Sequence, residues 1–394
     1  MNTSFSIARL PRIEFGPGSI TRIPDLVSSI GKRLLIVTGA NSFAQSAAWR
    51  ALSGRLEQAG ITWRMLHVVG EPSPSLVDDC VSSMRGECID CVLGIGGGSA
   101  LDAAKAIAGL LKPGNSVLEH LEGVGPELPY LGPSTPFIAV PTTAGTGSEA
   151  TRNAVLSVHG ADGFKKSFRD DKLVAEYAVI DPDLLASCPK SVIAANGMDT
   201  FTQLLESYVS IKANPFTDVL ALSGLGALRG ALLPWYESEG DTAAQRASMA
   251  YAALNSGITL AQVGLGSVHG LAAPLGAFFP IPHGVVCGTL VAVATRVNLA
   301  ALSARAPESA APRRYAQVGR LLSGQPLPDP EALAYLLDLL DDWTRRLALP
   351  RLGAYGVSAA DVDRIVANSR GSSMKTNPIV LTDEEIAGIV RARL

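Results

Sequence analysis

Histidine is scarce in this chain: five among 394 residues. Cysteine is as rare and odd in number, five. None sits in a short secreted-looking frame, so the sequence predicts reduced thiols and a cytoplasmic protein. Charge of one sign is also missing: 33 basic residues against 36 acidic give a net −3. That balance offers no basic field for nucleic acid or an anionic membrane. No uninterrupted apolar run of about 18 residues occurs, so no membrane span is expected. The opening MNTSFSIARLPRIEF has no apolar run behind a basic segment, so no signal peptide is expected. Internal repeats and low-complexity tracts are absent. What is abundant is apolar: 47% of the residues are hydrophobic, ample for a large core and for more than one domain.

The first half alternates apolar, β-branched runs with helical patterns. Strands are predicted over 34–38, 63–68, 91–95, 136–140 and 177–180. Helices are predicted up to about 58, over 75–84 and over 100–111. Strands apolar on both faces belong to a parallel sheet covered by helices on each side. The expectation is an α/β, doubly wound, mostly parallel dinucleotide-binding domain over residues 1–188. Beyond Pro189 long Ala/Leu-rich segments dominate, at 191–211, 216–233, 243–261, 284–302 and 328–347. Their spacing is helical, which predicts an all-helical domain over 189–394. Loops are expected at 307–312 and 323–330, and the site in a cleft between the two domains.

Gly96-Gly97-Gly98-Ser99 follows a strand and opens a helix. Glycines let backbone approach a pyrophosphate, and the free N–H groups of the helix start stabilise the anion. The competing reading is a tight strand-to-helix turn that binds nothing, because the spacing is not the usual GxGxxG. Asp102, placed in the first turn of that helix, is either a favourable charge there or a group facing a cofactor. The next strand runs into PTTAGTGSE at 141–149. Its hydroxyls and small residues suit a ribose or phosphate, or make a plain loop. Cys88-Ile89-Asp90-Cys91 is formally a CxxC. With no second pair and an apolar strand starting at Cys91, it is read as two ordinary thiols.

Two of the five histidines fall in one glycine-rich apolar stretch, GLGSVHGLAAPLGAFFPIPHGVVCG, as His269 and His283. Upstream, Asp199 and Gln203 are four apart and share a helix face. Asp199, Gln203, His269 and His283 are therefore candidates to converge on one metal. Imidazole suits iron or zinc, and carboxylate suits the harder divalent ions. With the glycine-rich turn, this set points to metal-assisted nicotinamide chemistry.

These motifs occur in a telling order: GGGSxxD, PTTAGTGSE, DP, GMD and VHGLAAPLGAFFPIPHG. The sequence so resembles the iron-containing (group III) alcohol dehydrogenases, from RIEFGPGSI at 12–20 to NPIVLTDEEI at 377–386. The resemblance implies hydride transfer between NAD or NADP and an alcohol/aldehyde pair, an Fe2+ or Zn2+ ion, and commonly a homodimer. It implies that Gly97, Gly98 and Ser99 hold the pyrophosphate. Thr142, Thr143 and Thr146 would line the ribose and nicotinamide, and Lys165 would bond the nicotinamide ribose. Asp102, His269 and His283 are carried as catalytic candidates, with Asp102 also counted among the cofactor-binding residues.

Two positions depart from the family pattern. Its fourth metal ligand is normally histidine, where this chain has Gln203, a weaker ligand for late transition metals. A histidine often stands four residues after the ligand at His269, where this chain has Ala273. Gly39 occupies the place of an acid that repels a 2′-phosphate, while Asn41 and Ser42 can bond either ribose. The reading therefore leans toward NADP(H). Gln203 also motivates a metal-independent reductase of keto substrates, as in maleylacetate reductase. The third reading is a non-redox cofactor-binding relative without turnover, or a metal-dependent cyclase or lyase on the same scaffold, as among the dehydroquinate synthase relatives. Phe278, Phe279, Val263 and Leu265 suggest an apolar substrate site. Arg152 is either a surface ion pair or a contact for an anionic substrate.

Overall fold

The structure is a computed structural model that describes residues 4–40, 43–160 and 163–394. Contacts divide the chain into two units. The first comprises Ala8–Val158 and Lys165–Cys188. The second is built on Pro189–Leu394 and takes in the segment His159–Phe164.

The α/β unit runs β1 (Arg12–Phe15), α1 (Ile23–Ser28), β2 (Arg33–Gly39), α2 (Ala47–Gln58), β3 (Thr62–Val68), α3 (Pro74–Ser83), β4 (Cys91–Gly96) and α4 (Gly98–Leu110). It continues with β5 (Phe137–Pro141), β6 (Asn153–Val158), β7 (Phe164–Arg169) and β8 (Tyr177–Ile180). Helices α2 and α3 start where serines cap them: Trp49 N–H donates to Ser46 Oγ and Leu76 N–H to Ser73 Oγ, each at 3.1 Å.

Six strands form one sheet in the order β1-β8-β5-β4-β2-β3, every neighbouring pair parallel. Strands β4 and β5 are buried along their whole length, as their unbroken apolar sequences require. On one face Leu34, Ile36, Leu93, Ile138 and Val179 pack with Ile23, Val27, Leu52 and Leu56. The chain leaves β2 for β3 on one side and returns to β4 on the other. The β2/β4 junction is thus a topological switch point, where crevices form outside the carboxyl ends of strands. Gly39 ends β2 and Gly96 ends β4, and they are neighbours there: a Cβ on Gly96 would lie 3.4 Å from Gly39 N.

The helical unit comprises α5 (Lys190–Val209), α6 (Pro215–Arg229), α7 (Leu232–Glu237), α8 (Ala243–Val263), α9 (Ser267–Phe278), α10 (His283–Arg305), α11 (Ala311–Ser323), α12 (Asp329–Arg346), α13 (Val362–Ala367) and α14 (Asp383–Arg391). Helix α5 is its axis, buried almost continuously from Ile193 to Val209.

Several local expectations change. Strands β1 (RIEF) and β7 (FKKSFR) carry too many charged or polar residues to read as apolar strands. The helix predicted over 216–233 ends at Arg229 and restarts at Leu232. Residues 311–312, expected in a loop, open α11 instead, with proline in its first turn, where a missing N–H costs nothing. Helix α4 begins at Gly98, so Asp102 lies beyond the first turn and is no N-terminal charge. The segments Pro215–Glu237 and His283–Arg305 are long and apolar enough, by length and composition, to cross a membrane. Gly, Ser, Thr and Asn break their apolar runs without making them polar. For the second, 72% of the relevant window is buried inside the protein, so its apolarity serves the helical core.

Candidate metal centre and cofactor cradle

Asp199, Gln203 and Glu206 stand at i, i+4 and i+7 on α5, one face of the helix. His269 lies in the first turn of α9, and His283 opens α10 with Cys287 one turn on. Two glycines let α10 reach α5. A Cβ on Gly284 would meet Ala195 O at 2.3 Å, and one on Gly288 would meet Met198 Cβ at 2.9 Å. The close approach brings one donor atom each from Asp199, His269, His283 and Cys287 within 4.8 Å of one another.

The distances within this group are short. His269 Nε2 is 3.2 Å from Asp199 Oδ1, and His283 Nε2 is 3.8 Å from the same oxygen. Cys287 Sγ is 3.6 Å from His269 Nε2 and 3.8 Å from His283 Nε2. Asp199, His269 and Cys287 are buried. His283, at 27% side-chain exposure, is the open side of the group.

Glu206 organises the centre from behind. Its Oε2 accepts His269 Nδ1–H at 2.7 Å and Gly266 N–H at 2.9 Å, and its Oε1 accepts Val268 N–H at 2.7 Å. One carboxylate thus caps the start of α9 and fixes the His269 ring with Nε2 toward Asp199, the outer partner that metal-binding histidines commonly have. The sequence reading missed Glu206, although its position two turns after Asp199 was a usable signal.

Gln203 takes a different part from the expected one. Its amide oxygen, the atom expected to ligate, accepts from Ser256 Oγ at 2.7 Å. Its amide nitrogen donates to Asp199 Oδ1 at 3.1 Å. Gln203 therefore holds Asp199, and Cys287, which was not picked out from the sequence, completes the cluster.

The electrostatics suit a cation. Burial opposes charge on His269, but Cys287, Asp199 and Glu206 outweigh it and hold its pKa well above the usual imidazole value. Burial likewise favours neutral Asp199, yet His283 and His269 keep its pKa below the ordinary carboxylate value. Burial pushes the Cys287 thiol up to about 12. Two carboxylates flank the His269 ring, Asp199 at 3.2 Å from Nε2 and Glu206 at 2.7 Å from Nδ1, a donor set that fits a divalent cation.

The second set of residues surrounds the start of α4 at the β2/β4 switch point. Gly97 caps α4 and, as glycine, has no side chain of its own to take up the first N–H groups. The loop after β5 closes on this turn. Thr142 N–H donates to Gly96 O at 2.9 Å. A Cβ on Gly98 would meet Thr146 Cγ2 at 2.6 Å, and one on Gly97 would meet Thr143 Oγ1 at 3.3 Å. Gly97, Gly98, Ser99, Thr142, Thr143 and Thr146 are thus brought together, a shape and donor set that fit a pyrophosphate. Gly39 borders open space: a Cβ added there would have nothing within 4 Å among the described residues. Asn41 and Ser42, expected at the ribose, lie outside the described residues.

Asp102 is tied down: its carboxylate accepts from Ser148 Oγ and from Val155 N–H, and Lys105 Nζ is 3.7 Å away. Lys105 is fully buried and bonds Ser148 O, Thr151 Oγ1 and Asn153 O, each at 2.8 Å. Together they lock α4 to the threonine loop. Lys165 pairs with Glu71, which also accepts from Ser157 Oγ; Glu71 is another partner the sequence reading missed. Arg152 pairs with Asp171 at 2.8 Å on the surface. Cys88 and Cys91 are free thiols, the second buried in β4. Phe278 lies under the Arg364 guanidinium, 3.7 Å from its ring centre, while Val263 and Leu265 are buried.

Comparison with known proteins identifies the family. Residues 11–182 match the family described as iron-containing alcohol dehydrogenase, and 193–394 match its C-terminal part. The probable alcohol dehydrogenase EutG of Escherichia coli is 31% identical over 96% of this chain and 91% of its own. The solved structure of a 1,3-propanediol oxidoreductase superposes with a TM-score of 0.89 at 27% identity, covering 99% of this chain and 100% of that one. A sulfoacetaldehyde reductase from Bifidobacterium kashiwanohense, solved with NAD+, gives 0.83 at 25% identity over 100% and 99%. The chain belongs to the iron-containing alcohol dehydrogenase family.

Proposed function

We propose that this enzyme interconverts an alcohol and its aldehyde, with a nicotinamide dinucleotide on the α4 cradle and a divalent metal held by Asp199, His269 and His283. The observation that carries the reading is the convergence of those three side chains, from three helices, with the Glu206 bond that orients His269. When bound, the metal supplies Lewis acidity toward a substrate oxygen and the dinucleotide supplies the hydride carrier.

The residues do the positioning. Gly97, Gly98 and Ser99 present backbone N–H groups to the pyrophosphate. Thr142, Thr143 and Thr146 border the same turn and line the ribose and nicotinamide. Lys165, held by Glu71, bonds the nicotinamide ribose, and Asp102 acts by keeping Ser148 and the threonine loop in place. Glu206 keeps the proton of His269 on Nδ1, which leaves Nε2 as the ligand atom. The absence of an acid at Gly39 leaves room for a 2′-phosphate, so NADP(H) is accepted beside NAD(H). Five free thiols suit a reducing cytoplasm.

The test is metal analysis of the purified protein with NADH and NADPH oxidation on short aldehydes, before and after chelation. About one divalent ion per chain, and activity lost on chelation and restored by metal, is the expected result. His283→Ala should lose both metal and kcat. Undiminished turnover in the metal-free protein would overturn the reading in favour of a metal-independent reductase.

A further inference from the structure

We propose that Cys287 is the fourth protein ligand of the metal centre, in the place the family gives to histidine and this chain gives to Gln203; the inference rests on the metal-assisted reading above. The distances support it. A tetrahedral ion with metal–nitrogen bonds near 2.05 Å and a metal–sulfur bond near 2.3 Å sets nitrogen and sulfur about 3.6 Å apart. Cys287 Sγ lies 3.6 and 3.8 Å from the two imidazole Nε2 atoms. The same geometry sets nitrogen and oxygen about 3.4 Å apart, against 3.2 and 3.8 Å to Asp199 Oδ1.

Gln203, by contrast, has both ends of its amide engaged, one on Ser256 and one on Asp199. On binding, the Cys287 S–H bond breaks, a sulfur–metal bond forms and the proton leaves to water. A thiolate beside two imidazoles softens the site and shifts its preference from iron toward zinc.

The test loads the full-length protein with zinc or with cobalt(II). Zinc-edge X-ray absorption should show one sulfur at about 2.3 Å. The cobalt form should show a sulfur-to-cobalt charge-transfer band in the near ultraviolet. Both signatures should vanish in Cys287→Ser, with metal bound at least ~10-fold more weakly. The other four cysteines lie outside the helical unit, so the signal belongs to Cys287. If the serine variant does not fold, the wild-type spectra decide alone. A fully loaded wild-type protein with only nitrogen and oxygen neighbours overturns the Cys287 ligand and leaves the metal-assisted reading standing. A protein that takes up neither metal, yet still reduces aldehydes, overturns both.

Discussion

Glu206→Gln tests whether the metal centre is organised from outside its ligands. The buried carboxylate accepts three N–H groups: Gly266 and His269 on one oxygen, Val268 on the other. Glutamine has the same shape but only one acceptor oxygen. Whichever way the amide turns, at least one N–H faces another donor, at a cost of about 1–3 kcal/mol. The carboxylate charge that strengthens His269 as a ligand is lost too. Removing an outer partner of this kind weakens metal binding about 10–100-fold, or ~1.4–2.7 kcal/mol. At saturating metal, the stabilisation that the ion adds to the fold shrinks by the same amount. The assay is zinc affinity by chelator competition, with thermal unfolding in the presence and absence of zinc. Asn377→Ala is the control. Asn377 accepts Ser267 N–H at 3.0 Å beside the same helix start, and its amide nitrogen donates to Asn298 and Ile379 O. It should lower the melting temperature and leave zinc affinity alone. If Glu206→Gln behaves the same way, Glu206 is a helix cap only and the argument for ring orientation fails.

Other changes probe the cradle and its loop. Gly98→Ala forces a methyl against Thr146 and should raise KM for the dinucleotide tenfold or more, while the gentler Gly97→Ala should do less; equal, unchanged KM values would refute the cradle. Gly39→Asp has room for its Cβ among the described residues and should turn preference toward NADH, since a charge about 4 Å from a 2′-phosphate costs ~1–4 kcal/mol; unchanged NADPH kinetics would place the 2′-phosphate elsewhere. Burial raises Glu149 from 4.5 to about 7, so the folded protein keeps that proton where the unfolded chain has released it. Its contribution to stability is complete below pH 4.5 and falls as pH rises to about 7. Glu149→Gln should flatten the stability–pH curve over that window in denaturant titrations, and an unchanged slope would mean the carboxyl is ionised throughout.

Much of the fold was legible because its signals are local. The unbroken apolar runs of β2, β4 and β5 announced a covered parallel sheet. Glycines between β4 and α4, and between His269 and His283, marked the two working regions. Strand β7, FKKSFR, was not legible: nothing in its own residues separates it from a loop, and only pairing with β6 makes it a strand. Helix α9 was hidden by its own glycines and an internal proline.

At the metal centre the sequence by itself determined the spacing. A period of 3.6 residues per turn puts Asp199, Gln203 and Glu206 on one face and His283 beside Cys287, whatever surrounds them. It also determined that only a few imidazoles were available. Which atoms meet was decided by packing. Ser256, on α8, turns the Gln203 amide, and the loop into α9 supplies the N–H groups that Glu206 gathers. Gly284 and Gly288 let α10 close on α5 and bring the Cys287 sulfur to the histidines. Helical periodicity belongs to each segment alone, whereas the choice of ligand belongs to the contacts between segments, which exist only in the folded chain.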